Sequence, residues 1–271
     1  MFRRFIMKKY LVIGNPIKHS LSPKLHNYWF KKNKIDAIYE KKEVNEIDLK
    51  NIILDIKNEK INGINITKPF KNSVISFLDE LSSEAKETQS VNTIYKEKNK
   101  VLGHNTDASG FELAIRKTNY EIKEKKIFIL GAGGVVPSII FALRKMGAAK
   151  IVLSNRTKEK AEKIKKNFSN IEIIDWGNIP DFNMIINATS IGLNNSDEIN
   201  LNFNEIGKNK FFYDVIYNPT QTKFLSTAKK LGNKIENGKM MFIYQAHQAF
   251  TLWHKIMPKI DEETIKLIEH D

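Results

Sequence analysis

Short apolar runs closed by glycine or by polar turns set the rhythm of this chain. Lys9-Tyr-Leu-Val-Ile-Gly14 is such a run and predicts a buried strand. Ser22-Pro23 then opens a predicted helix, because serine is a good N-cap and proline at the first helical position loses no needed N–H. Leu25, Tyr28, Trp29 and Phe30 supply its apolar face. The pattern continues with a strand over 37–42, a helix over 47–57, a strand over 61–66, a helix over 78–88, and short strands over 91–95 and 100–102. From Asp107 onward the alternation is regular, with helices over 108–118, 135–146 and 158–167 and strands over 126–130, 150–154, 172–174, 184–186 and 211–214. A long helical stretch over 239–256 and a last helix over 261–270 close the chain, and 196–209 reads as an exposed loop. Strands alternating with helices predict an α/β fold whose sheets are largely parallel and covered on both faces.

A length of 271 residues divides naturally into two domains. No linker, repeat or low-complexity stretch marks the division, so the boundary must be tight, near Asn105–Ala108. No run of 18 apolar residues suggests a membrane span. The basic start, residues 1–9, lacks the apolar core and cleavage site of a signal peptide, and Met7 is a second candidate start. A cytoplasmic location is expected.

The chain has no cysteine, which excludes disulfides, thiolate metal sites and thiol nucleophiles. The six histidines show no His-x-x-x-His spacing with a nearby glutamate, and no metal is expected. The formal charge is +13, but the lysines are scattered along helices beside glutamates, as in Lys158-Glu-Lys-Ala-Glu-Lys163. That is the pattern of a solvated face, so neither nucleic acid nor membrane is the expected partner. A net positive field favours an anionic small-molecule substrate and cofactor.

Two segments carry candidate chemistry. In Gly131-Ala-Gly-Gly134, between a strand and a helix, the first glycine permits a tight turn and the next lets the backbone approach a pyrophosphate at the helix N-terminus. The third glycine of the dinucleotide fingerprint falls at Val136, so a plain glycine turn stays open. At the end of the next strand, where an NAD site wants an acidic residue, stands Ser154-Asn-Arg-Thr-Lys158. Arg156 can pair with a phosphate, Asn155 and Thr157 can donate hydrogen bonds, and Lys158 or Lys160 adds charge, which favours NADP over NAD. A solvated turn is the alternative. Lys71, after a predicted strand, and Asp107, at a predicted helix start, are a candidate acid–base pair for a substrate oxygen; taken singly they read as a surface lysine and a helix cap.

Gly14-Asn-Pro-Ile-Lys-His-Ser-Leu-Ser-Pro23, Asn65-Ile-Thr-Lys-Pro-Phe-Lys71, Val91-Asn-Thr93, Gly103-His-Asn-Thr-Asp107, Gly131-Ala-Gly-Gly134, Asn155-Arg-Thr157, Asn187-Ala-Thr-Ser-Ile-Gly192 and Tyr244-Gln-Ala246 resemble, in order, the motifs of the shikimate dehydrogenases. The resemblance covers nearly the whole chain. It implies a substrate domain over 1–106, a Rossmann-like NADP domain over 107–238 and C-terminal helices over 239–271 returning to the first domain. It implies reversible, NADPH-dependent reduction of 3-dehydroshikimate to shikimate, by a monomer or homodimer.

Carried over residue by residue, the resemblance makes Lys71 and Asp107 catalytic, and Ser20, Ser22, Thr67, Asn92, Tyr217 and Gln245 substrate-binding. Ser22 as a plain N-cap, Asn92 as a turn residue and Gln245 as a surface amide are what those positions suggest alone. Cofactor contacts fall to Gly131, Ala132, Gly133, Gly134, Val135, Asn155, Arg156, Thr157, Lys160, Thr189, Gly238 and Met241. Two departures from the family pattern stand out. Met240 replaces the second of two glycines near the nicotinamide, and the glycine turn continues into Val135-Val-Pro137 rather than small residues. A quinate- and NAD-using member of the same family, a non-catalytic NADP-binding regulator and a nucleic-acid-binding protein are the rival readings.

Overall fold

The structure is a computed structural model that describes residues 7–194, 196–203 and 206–268. The stretch 1–6, positions 204 and 205 of the predicted loop and the last residues of the final predicted helix lie outside the described residues. The chain divides into two compact units, Met1–Thr106 with Gln245–His270, and Asp107–Tyr244.

The first unit is built on β1 (Lys8–Gly14), β2 (Ala37–Glu43), β3 (Gly63–Ile66), β4 (Glu80–Leu81), β5 (Thr93–Glu97) and β6 (Lys100–His104). They form a six-stranded sheet in the order β2-β1-β3-β5-β6-β4. β1 runs parallel to both β2 and β3, whereas β5 is antiparallel to β3 and to β6. Helices α1 (Ser22–Lys32), α2 (Leu49–Lys57) and α3 (Ser83–Thr88) belong to this part of the chain. Leu49, Ile52, Ile53 and Ile56 recur at helical spacing on α2 and join Ile13, Ile64, Ile66 and Ile94 in one apolar core. The helix predicted over 78–88 is shorter than expected. A 3₁₀ turn (Ser73–Phe77) and β4 precede it, and Ser82 caps α3 by accepting the Ala85 N–H. Leu78 and Leu81, before Ser82, sit at helical spacing but lead into and lie on the edge strand β4.

The second unit carries β7 (Lys126–Leu130), β8 (Lys150–Ser154), β9 (Ile171–Ile174), β10 (Met184–Asn187), β11 (Phe211–Asp214) and β12 (Lys234–Glu236). Its helices are α4 (Asp107–Lys117), α5 (Val136–Lys145), α6 (Lys158–Asn167) and α7 (Lys223–Lys230). The sheet order is β12-β11-β10-β7-β8-β9, with every pairing parallel. Counted within the unit this is 3-2-1-4-5-6, the doubly wound dinucleotide-binding order. β7, β10 and β11 are apolar almost throughout because helices cover both faces. α7 and β12 have no counterpart in the sequence-based reading. Both segments are short; α7 buries one face with Phe224, Leu225 and Ala228, and Thr222 caps it by accepting the Leu225 N–H.

Helix α8 (Lys239–His254) contains the division between Tyr244 and Gln245. In the first unit its Phe250, Trp253 and His254 pack with Tyr10, His26, Trp29 and Phe30 of β1 and α1. Helix α9 (Glu262–Lys266) is capped by Asp261, whose carboxylate accepts the Thr264 N–H at 2.9 Å. No helix among the described residues is long and apolar enough to cross a membrane.

Candidate active site

Thr67 and Lys71 follow the C-terminal end of β3. The Thr67 N–H donates to the Ile13 carbonyl at 2.9 Å, the Lys68 carbonyl accepts from Asn15 N–H at 3.1 Å, and the Lys71 carbonyl accepts from Val91 N–H at 2.8 Å. The segment is thus held by its backbone. Gly14 makes this possible, since a Cβ there would collide with the Thr67 methyl.

Ser20 and Ser22 sit at the start of α1, and the Ser22 N–H points at Ser20 Oγ, 3.4 Å away. Ser22 is not the N-cap. Leu21 occupies that position without a side-chain cap, and Ser22 is the first helical residue. The reason is local: one residue further in, the buried Ser22 hydroxyl reaches the Tyr39 phenol instead of its own helix.

Asn92 is buried just before β5 and is no surface turn residue. Its Oδ1 accepts the Thr106 N–H at 2.8 Å, and its Nδ2 donates to Thr106 Oγ1 at 2.9 Å. A backbone N–H can only donate, so the amide's orientation is fixed. Asp107, the first residue of α4, is buried as well. Gln245 is half-buried on α8. Tyr217, half-buried in the second unit, stacks on Phe242 with ring centroids 4.6 Å apart.

In the second unit β7 and β10 are the neighbours at which the strand order reverses, and their ends, Leu130 and Asn187, are register partners. Ligands of such sheets bind outside the carboxyl ends of the strands at this reversal. Gly131 follows β7 with φ +106°, and a Cβ there would lie 2.8 Å from the Ala188 carbonyl. Only glycine satisfies both conditions. At Gly133 a Cβ would meet nothing nearer than the Ala188 oxygen at 3.8 Å. Gly133 and Gly134 are exposed, and α5 begins two residues later. An open glycine turn leading into a helix N-terminus fits the pyrophosphate of a dinucleotide.

The neighbouring Asn187-Ala-Thr189 segment is fixed from below. Thr189 Oγ1 donates to Asn187 Oδ1 at 2.7 Å, and Asn187 Nδ2 donates to Asp214 Oδ1 at 3.1 Å. Asp214 also accepts from Ile216 N–H and the Thr222 hydroxyl. Burial still pushes its carboxyl up to about 6, with those hydrogen bonds working in the opposite direction. Sequence reasoning gave Asp214 no role. A lone carboxylate ending an aromatic strand was the available signal.

Beyond β8, Asn155 Nδ2 donates to the Thr157 carbonyl at 2.7 Å, so that amide shapes the turn. Arg156, Thr157 and Lys160 are exposed. Ser154 Oγ is buried without a hydrogen-bond partner among the described residues. Gly238, before α8, approaches the Val215 backbone where no side chain would fit, and Met240 and Met241 are buried behind it. The residues for both phosphate ends of NADP are therefore of fitting kind: an open glycine turn and a cationic, hydroxyl-bearing loop.

A mixed α/β unit with a polar buried centre, followed by a doubly wound parallel unit with a glycine turn at its reversal, defines a two-domain dinucleotide-dependent dehydrogenase. Comparison with known proteins makes the class specific. A family profile described as the shikimate dehydrogenase substrate binding domain matches residues 12–94, and one described as shikimate / quinate 5-dehydrogenase matches 112–196. The shikimate dehydrogenase (NADP(+)) of Pelagibacter ubique is 62% identical over 262 residues, covering 97% of this chain and 99% of the relative. The crystal structure of shikimate dehydrogenase from Aquifex aeolicus superposes with a TM-score of 0.88 at 37% identity, over 100% of both chains. The Thermus thermophilus shikimate 5-dehydrogenase, solved with NADP(H) and shikimate, gives a TM-score of 0.87 at 29% identity, covering 97% of this chain and 98% of that one. The chain belongs to the shikimate dehydrogenase family.

Proposed function

We propose that this protein is an NADP-dependent shikimate dehydrogenase that reversibly reduces 3-dehydroshikimate to shikimate in aromatic amino-acid biosynthesis, in the cytoplasm. The observation that carries this reading is the 62% identity to a shikimate dehydrogenase (NADP(+)) over nearly the whole length of both chains. Residues 1–106 are assigned to the substrate and 107–238 to NADP, and of the C-terminal stretch 239–271 the part from Gln245 onward completes the first unit.

Bound NADPH supplies the hydride for the ring ketone. Reduction of that ketone leaves a developing alkoxide, which needs a proton and a positive neighbour. Lys71 provides both, and Asp107 is the second member of the acid–base pair. The Ser20 and Ser22 hydroxyls bind the substrate carboxylate. Thr67, Asn92, Tyr217 and Gln245 hold the ring in the orientation that hydride transfer requires. Gly131, Ala132, Gly133, Gly134 and Val135 cradle the pyrophosphate. Asn155, Arg156, Thr157 and Lys160 receive the adenosine end with its 2′-phosphate. Thr189, Gly238 and Met241 line the nicotinamide side.

Initial rates on shikimate and on quinate, each with NADP+ and NAD+, test the reading. Fast oxidation of shikimate with NADP+ is expected. A preference for quinate with NAD+ would contradict it.

A further inference from the structure

Asp214 ends β11 fully buried, in one row with Asn187 of β10 and Leu130 of β7. A buried carboxylate is costly unless donors surround it. Asp214 Oδ1 accepts from Asn187 Nδ2 at 3.1 Å and from the Ile216 N–H at 3.0 Å, and Oδ2 accepts the Thr222 hydroxyl at 2.6 Å. One side chain thus joins the end of β10, the segment after β11 and the start of α7.

Proton counting fixes the Asn187 end of this group. The Thr189 N–H can only donate, so Asn187 Oδ1 faces it, at 3.1 Å, and accepts the Thr189 hydroxyl as well, at 2.7 Å. Of the two hydrogens on Asn187 Nδ2, one goes to the Ile191 carbonyl at 3.1 Å and the other to Asp214. The hydrogen of the Thr189 hydroxyl is committed to Asn187, and its oxygen accepts the Ile191 N–H at 3.0 Å. One acceptor lone pair of Thr189 is left for a ligand. The chain of bonds from Asp214 through Asn187 therefore sets both the direction and the hydrogen-bonding sense of that hydroxyl.

We propose that Asp214 is a positioning residue for the cofactor site: it holds the Asn187 amide, which in turn presents the Thr189 hydroxyl as an acceptor on the nicotinamide side. The inference rests on the assignment of Thr189 to the cofactor under the proposed function. Asp214 also serves α7, through Thr222, and the backbone ahead of Tyr217, through Ile216. The arm to α7 does not by itself call for a carboxylate, since Thr222 caps the helix with its own oxygen, 3.4 Å from the Leu225 nitrogen. The arm to Asn187 does call for an acceptor. Among the described residues the second amide hydrogen of Asn187 has no other partner, and the amide is fully buried.

The test is the Kd for NADP+, measured by isothermal titration without substrate and beside thermal melts, for Asp214→Leu, Asp214→Asn and Thr222→Val. Asp214→Leu removes every acceptor and is expected to weaken NADP+ binding about tenfold. Asp214→Asn keeps Oδ1 for Asn187 and Ile216 and turns an N–H toward the Thr222 oxygen, so its Kd should stay within about twofold of the parent's. Thr222→Val should lower the Tm through the lost cap yet leave the Kd within about twofold. In a Thr189→Val background the Asp214→Leu penalty should shrink below about twofold, because the positioned hydroxyl is gone. If Asp214→Leu does not fold, Asn187→Ala, which leaves Asp214 its other donors, carries the test with the same expected loss. An unchanged Kd, a penalty that persists in full without the Thr189 hydroxyl, or an equal penalty in Thr222→Val would overturn the positioning role while leaving the enzyme assignment intact. A parent protein that binds no NADP+ would overturn the cofactor assignment and this inference together.

Discussion

In the second unit the glycine turn of the candidate site is made of backbone, and in the first the buried polar centre is made of side chains. The parallel sheet of the second unit ends in an open glycine turn and a helix start, and its strands are apolar nearly throughout. The mixed sheet of the first unit buries Asn65, Asn92, Thr93 and Thr106 in a hydrogen-bonded group, at 7% exposure or less. A diphosphate presents similar oxygens in every dinucleotide, and peptide N–H groups suffice for it. A polyhydroxylated ring must be told from its relatives, and that takes particular side chains at fixed angles, each supported by others. The difference predicts how each unit fails. Substitutions at the glycine turn and in the loop after β8 should act on the cofactor and through backbone strain, whereas those around Thr67, Lys71 and Asn92 should act on substrate binding and turnover.

The largest effect expected from breaking this division is at Lys71. Lys71→Ala should lower kcat by roughly 10²–10⁴-fold, the usual worth of general acid–base catalysis. Its KM for NADPH should stay near that of the parent, as stopped-flow or steady-state rates will show. Next is Gly131→Ala. It combines a left-handed backbone with a collision against the Ala188 carbonyl, so a loss of about 1–3 kcal/mol is expected from strain alone. NADP titration and thermal melts should show weaker cofactor binding and a lower Tm, with the first unit's aromatic packing unaltered.

Charge reversal at Arg156 comes third. Arg156→Asp removes a cation from the exposed turn after β8, and a charge-assisted bond to a 2′-phosphate is worth about tenfold or more. The ratio of kcat/KM for NADPH over NADH should fall by about that factor, with shikimate KM unmoved.

The smallest expected effect, and the one that most sharpens the comparison, is on pH. Burial among aromatic rings pushes His26 from 6.5 down to about 3 and His254 down to about 4, with a nearby charged partner adding to each shift. Neutral in the folded state and protonated when unfolded, these histidines stabilise the first unit fully above pH 6.5. That stability is lost as pH falls toward 4 and then 3, at up to about 1.4 kcal/mol per pH unit for each proton. Asp214 in the second unit behaves oppositely. Its carboxyl, raised from 3.8 to about 6, binds a proton in the folded state before the unfolded one does, so its stabilising contribution is present below pH 3.8 and is lost as pH rises through 6. Between pH 6 and 4 the buried Trp29 of the first unit should therefore report unfolding more readily than the second unit's amide protons, followed by hydrogen exchange. His26→Phe should flatten the acid limb.

The same division explains what the sequence made legible. Periodicity and glycine placement marked the second unit's strands to within a residue or two from 126 to 214, because apolar parallel strands and a glycine turn are local signals. The motif order announced the family. What local signals could not convey was support: Tyr39 reads as one more strand aromatic, Asn65 as part of a motif without a task, and Asp214 as a strand end. Their roles depend on partners 26, 27 or 8 positions away that only the folded sheets bring to them. The helix expected at 78–88 failed for a related reason, since apolar spacing there serves a sheet edge rather than a helix face.

The measurement that tests the account most directly is the absorbance of NADPH on adding 3-dehydroshikimate to the purified protein, with NADH in a parallel cuvette. Rapid oxidation of NADPH, slow oxidation of NADH and recovery of one shikimate per NADPH consumed is the predicted result. No oxidation of either cofactor, by a protein whose melt shows it folded, would contradict the account at its centre.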